Sequence, residues 1–434
     1  MHRRLLCASL ALAFPLPTTH AQSAEWPQWR GPTRDGVWTE TGLLDELPEG
    51  QLPLRWSVPV GPGYSGPSVA DGRVYLTERR GEDAEREGER LRCFAFEDGE
   101  ELWSVEWDTS YEGIGYQDGP RCTVLVADGR AVALGASGML VVCEAESGEL
   151  LWERDLREQY AIDMPIWGIS AAPLLEAGLL IVPASGAEAC LVAFDPESGE
   201  EVWTALDDRG NYSAPIVVEQ AGQRLVVVWT GDRVVAVHPT SGEEAWAVDW
   251  PAKNMPLGVA SPVLHGDRLF LTGFYDGSLA LRLAADELAV EELWRRRGQS
   301  ERSTDALHSI IGTPVIRGEH VYGVDSYGEL RCLELASGER VWEDLTAVPR
   351  ARWATIHMVQ NGETTWMFND RGELILAELS PEGFGERSRA QLIEPTLGQL
   401  NRRDGVCWSH PAYAYQHVLA RNDERLVCAD LSAR

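Results

Sequence analysis

Tryptophan recurs at a nearly constant spacing through most of this 434-residue chain. Successive copies are 43 to 51 residues apart, and the sequence between them consists of short apolar runs separated by turn residues. A spacing of this length, built from short strands and turns, is typical of a β-propeller in which each repeat forms one blade. The tryptophans of this series are Trp56, Trp103, Trp152, Trp203, Trp246, Trp294 and Trp342.

One repeat, within residues 170–206, reads as four strands. The runs SAAPLLEA, GLLIVPA, ACLVAFD and EEVWTAL are separated by turn residues, as antiparallel hairpins require. In the turn ESGE, Gly199 supplies a position that accepts a positive φ, so the chain can reverse between the third and fourth strands. We expect the tryptophan of the fourth strand to pack against the next blade, a structural role.

A proline marks the first strand of most repeats, since proline suits an edge strand such as the innermost strand of a blade. Counting first strands predicts an all-β, eight-bladed propeller of four-stranded antiparallel blades over residues 52–431. The eighth repeat supplies only three strands, and we expect residues 52–60 to complete it, which removes the open edges. The seventh repeat lacks the tryptophan, so a seven-bladed ring remains an alternative. The marker prolines are Pro67, Pro173, Pro215, Pro262, Pro314 and Pro411.

The N-terminus has the three parts of a secretory signal. A basic start is followed by the apolar run LLCASLALAF and a polar end, which predicts a cleaved signal peptide over residues 1–21 and a leader segment over 22–51. Cys7 lies at the start of the apolar run, which is a poor position for a lipid-anchored cysteine. No later run is apolar enough to span a bilayer. We therefore expect a periplasmic or secreted protein.

The net charge of −30 argues against a nucleic-acid partner. The acidic run over residues 78–90 is predicted to be a solvated loop inserted in the first blade. Seven cysteines follow the signal peptide, an odd number for a disulfide framework. Two pairs with equal spacing would lie on non-adjacent strands, roughly 9.5 Å apart, so we expect buried free thiols.

The motif AFDPESGEEVW at 193–203 returns as AVHPTSGEEAW at 236–246 and CLELASGERVW at 332–342. These copies resemble the tryptophan-docking motif of the PQQ-like β-propeller repeat family. That family includes quinoprotein alcohol dehydrogenases, which bind pyrroloquinoline quinone and Ca²⁺, and BamB-like assembly proteins, which have no cofactor. The leader at 25–38 resembles an exported subgroup with the pattern W-x-x-W-R-G-P.

The chain departs from both groups in the residues that carry their chemistry. It has no adjacent cysteine pair, which the dehydrogenases place over the quinone, and no set of Glu, Asn and Asp matches their calcium ligands. Unlike BamB-like proteins, it lacks the lipid-anchor cysteine. The resemblance therefore predicts the architecture better than an activity.

Ligands of propellers usually meet the loops that precede the first strands, which we call the upper loops. Here these loops are rich in aromatic, amide and basic residues, and three aromatics stand three residues before a marker proline. Such a ring can stack a flat ligand or a sugar, or can close the channel by packing. We name no catalytic residue and no metal ligand. The candidate binding residues are Tyr64, Trp167, Tyr212, Lys253, Asn254, His308, Arg352, Trp408 and His410.

These observations favour a non-catalytic binding or scaffold protein whose partner is an envelope protein or a polysaccharide. We expect this protein to be a monomer and to bind no cofactor. The alternative is a dehydrogenase that uses pyrroloquinoline quinone and Ca²⁺ to oxidise an alcohol or a sugar.

Overall fold

The structure, a computed structural model, describes residues 24–80 and 87–433. The predicted signal peptide and the middle of the acidic run lie outside these ranges. Eight antiparallel sheets of four strands follow one another around a central axis, with contacts between the innermost strands of neighbouring sheets. The predicted eight-bladed propeller is confirmed, and the seven-bladed alternative is wrong.

Each blade runs from an innermost strand beside the axis to an outermost strand at the rim. The innermost strands are β2 (Ser68–Ala70), β6 (Leu125–Ala127), β10 (Leu174–Glu176), β14 (Ile216–Gln220), β18 (Val263–His265), β22 (Val315–Arg317), β26 (Ile356–Asn361) and β30 (Ala412–Ala414). The second strands are β3 (Arg73–Arg79), β7 (Arg130–Leu134), β11 (Leu179–Gly186), β15 (Gln223–Trp229), β19 (Arg268–Gly273), β23 (His320–Val324), β27 (Thr364–Asn369) and β31 (His417–Arg421). The third strands are β4 (Gly88–Ala95), β8 (Met139–Glu144), β12 (Ala189–Phe194), β16 (Arg233–Val237), β20 (Gly277–Leu283), β24 (Leu330–Glu334), β28 (Glu373–Ser380) and β32 (Arg425–Asp430). The outermost strands are β1 (Leu54–Pro59), β5 (Glu101–Asp108), β9 (Leu150–Asp155), β13 (Glu201–Ala205), β17 (Glu244–Asp249), β21 (Val290–Arg296), β25 (Arg340–Asp344) and β29 (Gly383–Gln391).

The last blade is closed by the N-terminal strand. β1 pairs antiparallel with β32, with Trp56 opposite Cys428 and Val58 opposite Leu426. The first seven blades are each built from consecutive strands, including the seventh, which is complete although it lacks the tryptophan. Borrowing the first strand for the eighth blade leaves no missing strand in the ring, as the sequence predicted.

Most of the outer-strand tryptophans bridge neighbouring blades. In six of the seven, the indole Nε1 donates a hydrogen bond of 2.9–3.1 Å to a backbone carbonyl near the last hairpin of the next blade. Gly199 shows why glycine belongs in that hairpin. Its φ is +67°, and an added Cβ would lie only 2.5 Å from the Trp152 ring.

Trp246 is the exception, because the next blade has no glycine turn in the corresponding place. Its Nε1 instead donates to Oε1 of Gln220, at 2.8 Å. The Gln220 amide nitrogen in turn donates to three carbonyls of the next blade, at 2.7–3.3 Å. The buried Gln220 side chain therefore carries the connection that a direct indole contact carries elsewhere.

The apolar core lies in layers between neighbouring blades. Between the second and third blades, Leu140 and Val142 pack with Leu180 and Val182 in one buried cluster. A helix of four residues, α1 (Leu156–Gln159), is the only one in the described part of the chain. No helix there is long and apolar enough to cross a membrane.

The leader, described from residue 24 onwards, closes the lower end of the channel. Trp26 exchanges two backbone hydrogen bonds with Val69 of β2, at 2.8 and 2.9 Å. The buried Arg34 guanidinium donates to the carbonyls of Ala172 and Pro173, at 3.0 and 2.7 Å. The leader then runs outward across the last two blades to reach β1, so it joins several blades that are distant in sequence.

The prediction of a solvated loop over residues 78–90 is wrong at its two ends. β3 continues through Glu78, and β4 begins at Gly88, so both Glu78 and Glu89 are buried. Glu78 is paired with Arg90 and Arg92, whereas Glu89 accepts hydrogen bonds from Trp107 Nε1 and the Ala136 amide, at 2.9 and 3.0 Å. Buried carboxyl groups are tolerated when they are paired in this way.

All seven cysteines in the described residues are buried free thiols, as predicted.

Candidate functional site

A cavity of about 200 Å³ lies at the upper end of the axial channel. Six of the eight upper loops each contribute one large aromatic side chain, the 274–278 hairpin contributes another, and Trp29 of the leader forms the floor. Aliphatic residues of the fifth and sixth upper loops fill the remaining wall. The aromatic lining residues are Trp29, Tyr64, Tyr116, Trp167, Tyr212, Tyr275, Trp353 and Trp408.

The aromatic rings around the mouth touch one another in a chain. The Trp167 and Tyr212 ring centroids are 5.5 Å apart, and Tyr116 lies 6.5 Å from Trp167. On its other side Tyr116 approaches Trp353 and Trp408, at 6.3 and 6.0 Å. Edge-to-face and tilted contacts of this length stabilise a fixed arrangement of rings. The predicted ring of aromatics is thus also a set of packing contacts.

Two histidines reach the cavity from neighbouring blades. His410 Nε2 lies 3.0 Å from the Thr123 hydroxyl, and its ring stands edge-on to Trp29 with centroids 4.5 Å apart. His357 Nε2 donates to the Trp408 carbonyl, at 2.8 Å. Burial lowers the pKa of His357 to about 4 and that of His410 well below 6.5. Both rings are therefore neutral at pH 7 and are weak bases there.

His410 also explains the glycine beside it. A Cβ at Gly66 would lie 2.2 Å from the His410 carbonyl oxygen and 2.5 Å from its ring. The residue before the marker proline is small in most blades, but in the eighth blade it is His410. Gly66, at the same position in the first blade, leaves the space that His410 occupies.

Four of the predicted site residues lie outside the cavity lining. Lys253 and Asn254 are exposed on the fifth upper loop, and the Lys253 amide donates to Asp276 at 3.0 Å. His308 is buried, where its Nδ1 donates to the Phe274 carbonyl at 3.0 Å. Arg352 pairs with a glutamate and lies over the Trp353 ring, 4.4 Å from its centroid. The other five, Tyr64, Trp167, Tyr212, Trp408 and His410, all line the cavity.

Several lining residues were not among the candidates. Tyr116 and Trp353 lie on upper loops but not three residues before a marker proline, so the positional rule could not select them. Trp29 comes from the leader, whose route through the channel has no local sequence pattern. Arg121 stands directly before a cysteine of the second blade, where nothing in its neighbours marks it.

Arg121 is the charged residue of the lining. Its guanidinium donates to the carbonyls of Gly115, Gly119 and Tyr116 and lies 5.0 Å from the Tyr64 ring centroid. Among the described residues that line the cavity, none is a carboxylate, and no group of three acidic, histidine or cysteine side chains suited to a metal occurs. The cavity is therefore aromatic, neutral at its floor and positive at one wall.

An eight-bladed ring whose outer-strand tryptophans dock on the next blade is the architecture expected of a PQQ-like β-propeller. A family profile described as outer membrane protein assembly factor BamB matches residues 87–344, more than half of the chain. The chain belongs to this family.

The individual relatives include both BamB proteins and quinoprotein alcohol dehydrogenases. A BamB of Burkholderia pseudomallei is 27% identical over 229 residues, 51% of this chain and 54% of the relative. The quinohemoprotein alcohol dehydrogenase ADH-IIG of Pseudomonas putida is 27% identical over 251 residues, 51% of this chain and 32% of the relative. The chain thus matches about half the length of the first relative and less of the second. The crystal structure of BamB from Moraxella catarrhalis shares the fold, with a TM-score of 0.59 at 15% identity, covering 88% of this chain and 98% of that one.

Proposed function

We propose that this chain is a non-catalytic binding protein of the cell envelope, which holds a protein partner at its upper face. The observation that carries this proposal is the composition of the upper cavity. It offers a wide set of aromatic contacts but no pair of groups suited to proton transfer at neutral pH. Membership in a family described by an outer-membrane assembly factor supports an exported location.

The chemistry of the cavity fits a quinone cofactor poorly. Ca²⁺ prefers six to eight oxygen ligands, among them carboxylates, whereas the side-chain oxygens here belong to hydroxyl groups. Pyrroloquinoline quinone carries three carboxylates, and Arg121, already bonded to three carbonyls, is the one cation in the described lining. We therefore propose that the protein acts without this cofactor.

A crosslinking experiment tests the binding face. A photoreactive amino acid is placed at Ile166, which is 47% exposed beside Trp167 on the upper face. Val202, 49% exposed near the start of β13 and towards the lower face, is the matched control. In cells of the source organism we expect an adduct with an envelope protein from Ile166 and none from Val202. Equal adducts from both positions would contradict the proposal.

A second arm tests the dehydrogenase alternative. The purified protein is incubated with pyrroloquinoline quinone and Ca²⁺, and its melting temperature and dye-linked oxidation of alcohols and sugars are measured. We expect neither a rise in melting temperature nor dye reduction. Stoichiometric quinone binding with dye reduction would overturn the non-catalytic assignment. A polysaccharide partner would instead be detected as retention on a glycan column that is lost when Trp167 is replaced by alanine.

A further inference from the structure

Two aromatic residues at the cavity mouth have left-handed backbone conformations. Tyr116 has a φ of +55° and Trp353 a φ of +69°, and their rings meet at 85° with centroids 6.3 Å apart. This conformation is strained for a bulky residue, and such strain collects at ligand sites. The two residues come from the second and seventh upper loops, so they approach each other across the mouth.

The surroundings of Trp353 hold it in this position. Its amide donates to the Ser326 carbonyl at 2.9 Å. The guanidinium carbons of Arg352 and Arg402 lie 4.4 and 4.8 Å from its ring centroid. Cation–π contacts of this length hold a ring in place. Trp353 is therefore a rigid side of the mouth, and Tyr116 is the opposing side.

Charge restricts what can enter. An aromatic box suits a quaternary ammonium, but here the charged groups in contact with the rings are the guanidinium groups of Arg121, Arg352 and Arg402. Arg352 is neutralised by Glu301 at 2.7 Å. Arg402 is exposed and forms no ion pair with any carboxylate in the described part of the chain, although the protein has a net charge of −30. Arg121 likewise bonds only to carbonyls there. A cation would be repelled, whereas one anionic group at the mouth would gain a partner.

The size and polarity of the interior restrict the ligand further. The cavity volume of about 200 Å³ accepts a small planar molecule. The floor offers hydroxyl and imidazole groups from Thr123, Ser170, His357 and His410, which can meet one polar ring substituent but no second charge. We propose that the cavity binds a free planar aromatic acid of one or two fused rings, with its carboxylate towards Arg402. The proposal rests on the proposed function in that it takes the upper face as a binding face.

Calorimetry with 2-naphthoate tests the ligand class on the purified chain. Two probes separate the contributions of ring and charge: cyclohexanecarboxylate has the charge without the flat ring, and 2-naphthylmethylammonium has the ring with the opposite charge. We expect 2-naphthoate to bind at least about tenfold more tightly than either, a difference of about 1.4 kcal/mol. Equal affinity for 2-naphthoate and cyclohexanecarboxylate would overturn the proposal.

Variants test the placement of the ligand. Arg402→Gln should weaken 2-naphthoate binding about fivefold, as expected for one exposed ion pair. Arg387→Gln, an exposed arginine on β29, should leave it unchanged. Tyr116→Gly removes one side of the mouth, so the dissociation rate of 2-naphthoate should rise. Equal effects of the two arginine variants would overturn the placement.

The two proposals fail in different ways. Loss of 2-naphthoate binding with the Ile166 adduct intact refutes only the aromatic-acid pocket. Quinone binding with dye reduction refutes the non-catalytic function.

Discussion

Replacing Gly199 by alanine tests whether the docking tryptophans hold neighbouring blades together. Alanine at a φ of +67° costs roughly 1–2 kcal/mol from the backbone alone. Its Cβ would also lie 2.5 Å from the Trp152 ring, so the indole must move by about 1 Å to reach an ordinary contact. Gly178 in the same blade has a φ of +77° and nothing within 4 Å of an added Cβ. Gly178→Ala is therefore a control that carries only the backbone cost.

The difference between the two variants gives the worth of the docking contact. Overpacking costs about 1–3 kcal/mol, and loss of the 3.1 Å bond from Trp152 Nε1 to the Pro196 carbonyl costs about 0.5–1.5 kcal/mol. We expect Gly199→Ala to be less stable than Gly178→Ala by about 2–4 kcal/mol. With about 2.1 cal/mol/K of unfolding entropy per residue over about 400 residues, this lowers the melting temperature by a further 2–5 °C, approximately.

Differential scanning calorimetry at one fixed scan rate measures this difference, because large proteins can unfold irreversibly. Hydrogen exchange should also show faster opening of β9 and β13 in Gly199→Ala than in Gly178→Ala. In a Trp152→Ala background the extra loss should disappear, since the clashing ring is gone. If Gly199→Ala and Gly178→Ala lower the melting temperature by the same amount, the docking contact contributes nothing to stability and the reasoning is refuted.

Three other predictions concern buried polar groups. Gln220→Ala should lower the free energy of unfolding by about 2–4 kcal/mol in urea titration, because it leaves Trp246 Nε1 and several carbonyls without a partner; an effect below 1 kcal/mol would contradict the bridging role. Burial and the nearby Asp423 carboxylate raise the pKa of Asp118 from 3.8 to about 7, so the stability that its protonated form provides is present below pH 3.8 and is lost as the pH rises to about 7. Asp118→Asn should therefore flatten the melting temperature across this range, and an unchanged pH profile would refute the shift. Burial raises the pKa of Cys93 and Cys143 to about 12, so a thiol reagent at pH 8 should modify neither in the folded protein and both after denaturation; rapid reaction of the native protein would show that they are accessible.

The blades were predictable because each is a local unit. The docking tryptophan and the turn glycine, such as Trp152 and Gly199, return at similar positions in successive repeats. The spacing of these repeats along the sequence therefore indicated the ring and its closure. Contacts between distant parts of the chain have no such period. Trp29 meets Ser261 in the channel through a 2.8 Å hydrogen bond across 232 residues of sequence, and only the structure places it there.

The site was predictable in part for the same reason. Tyr64, Tyr212 and Trp408 occupy equivalent positions in three blades, so the repeat brought them to one mouth. Tyr116 and Trp353 owe their positions to irregular loops with left-handed backbone, which follow no repeat. Glu89 falls within the predicted solvated run, and its burial does not follow from the local sequence because its partners, Trp107 and Ala136, are supplied by other segments.

The pairing of β1 with β32 sets an order on folding. Trp56 meets Cys428 only after the last blade has been made, and closing a loop of about 370 residues costs about 5 kcal/mol of chain entropy. The leader with Trp29 precedes every blade in the chain and therefore leaves the ribosome first. A chain that ends before β32 would leave β1 without its partner strand, so the ring would stay open beside the leader.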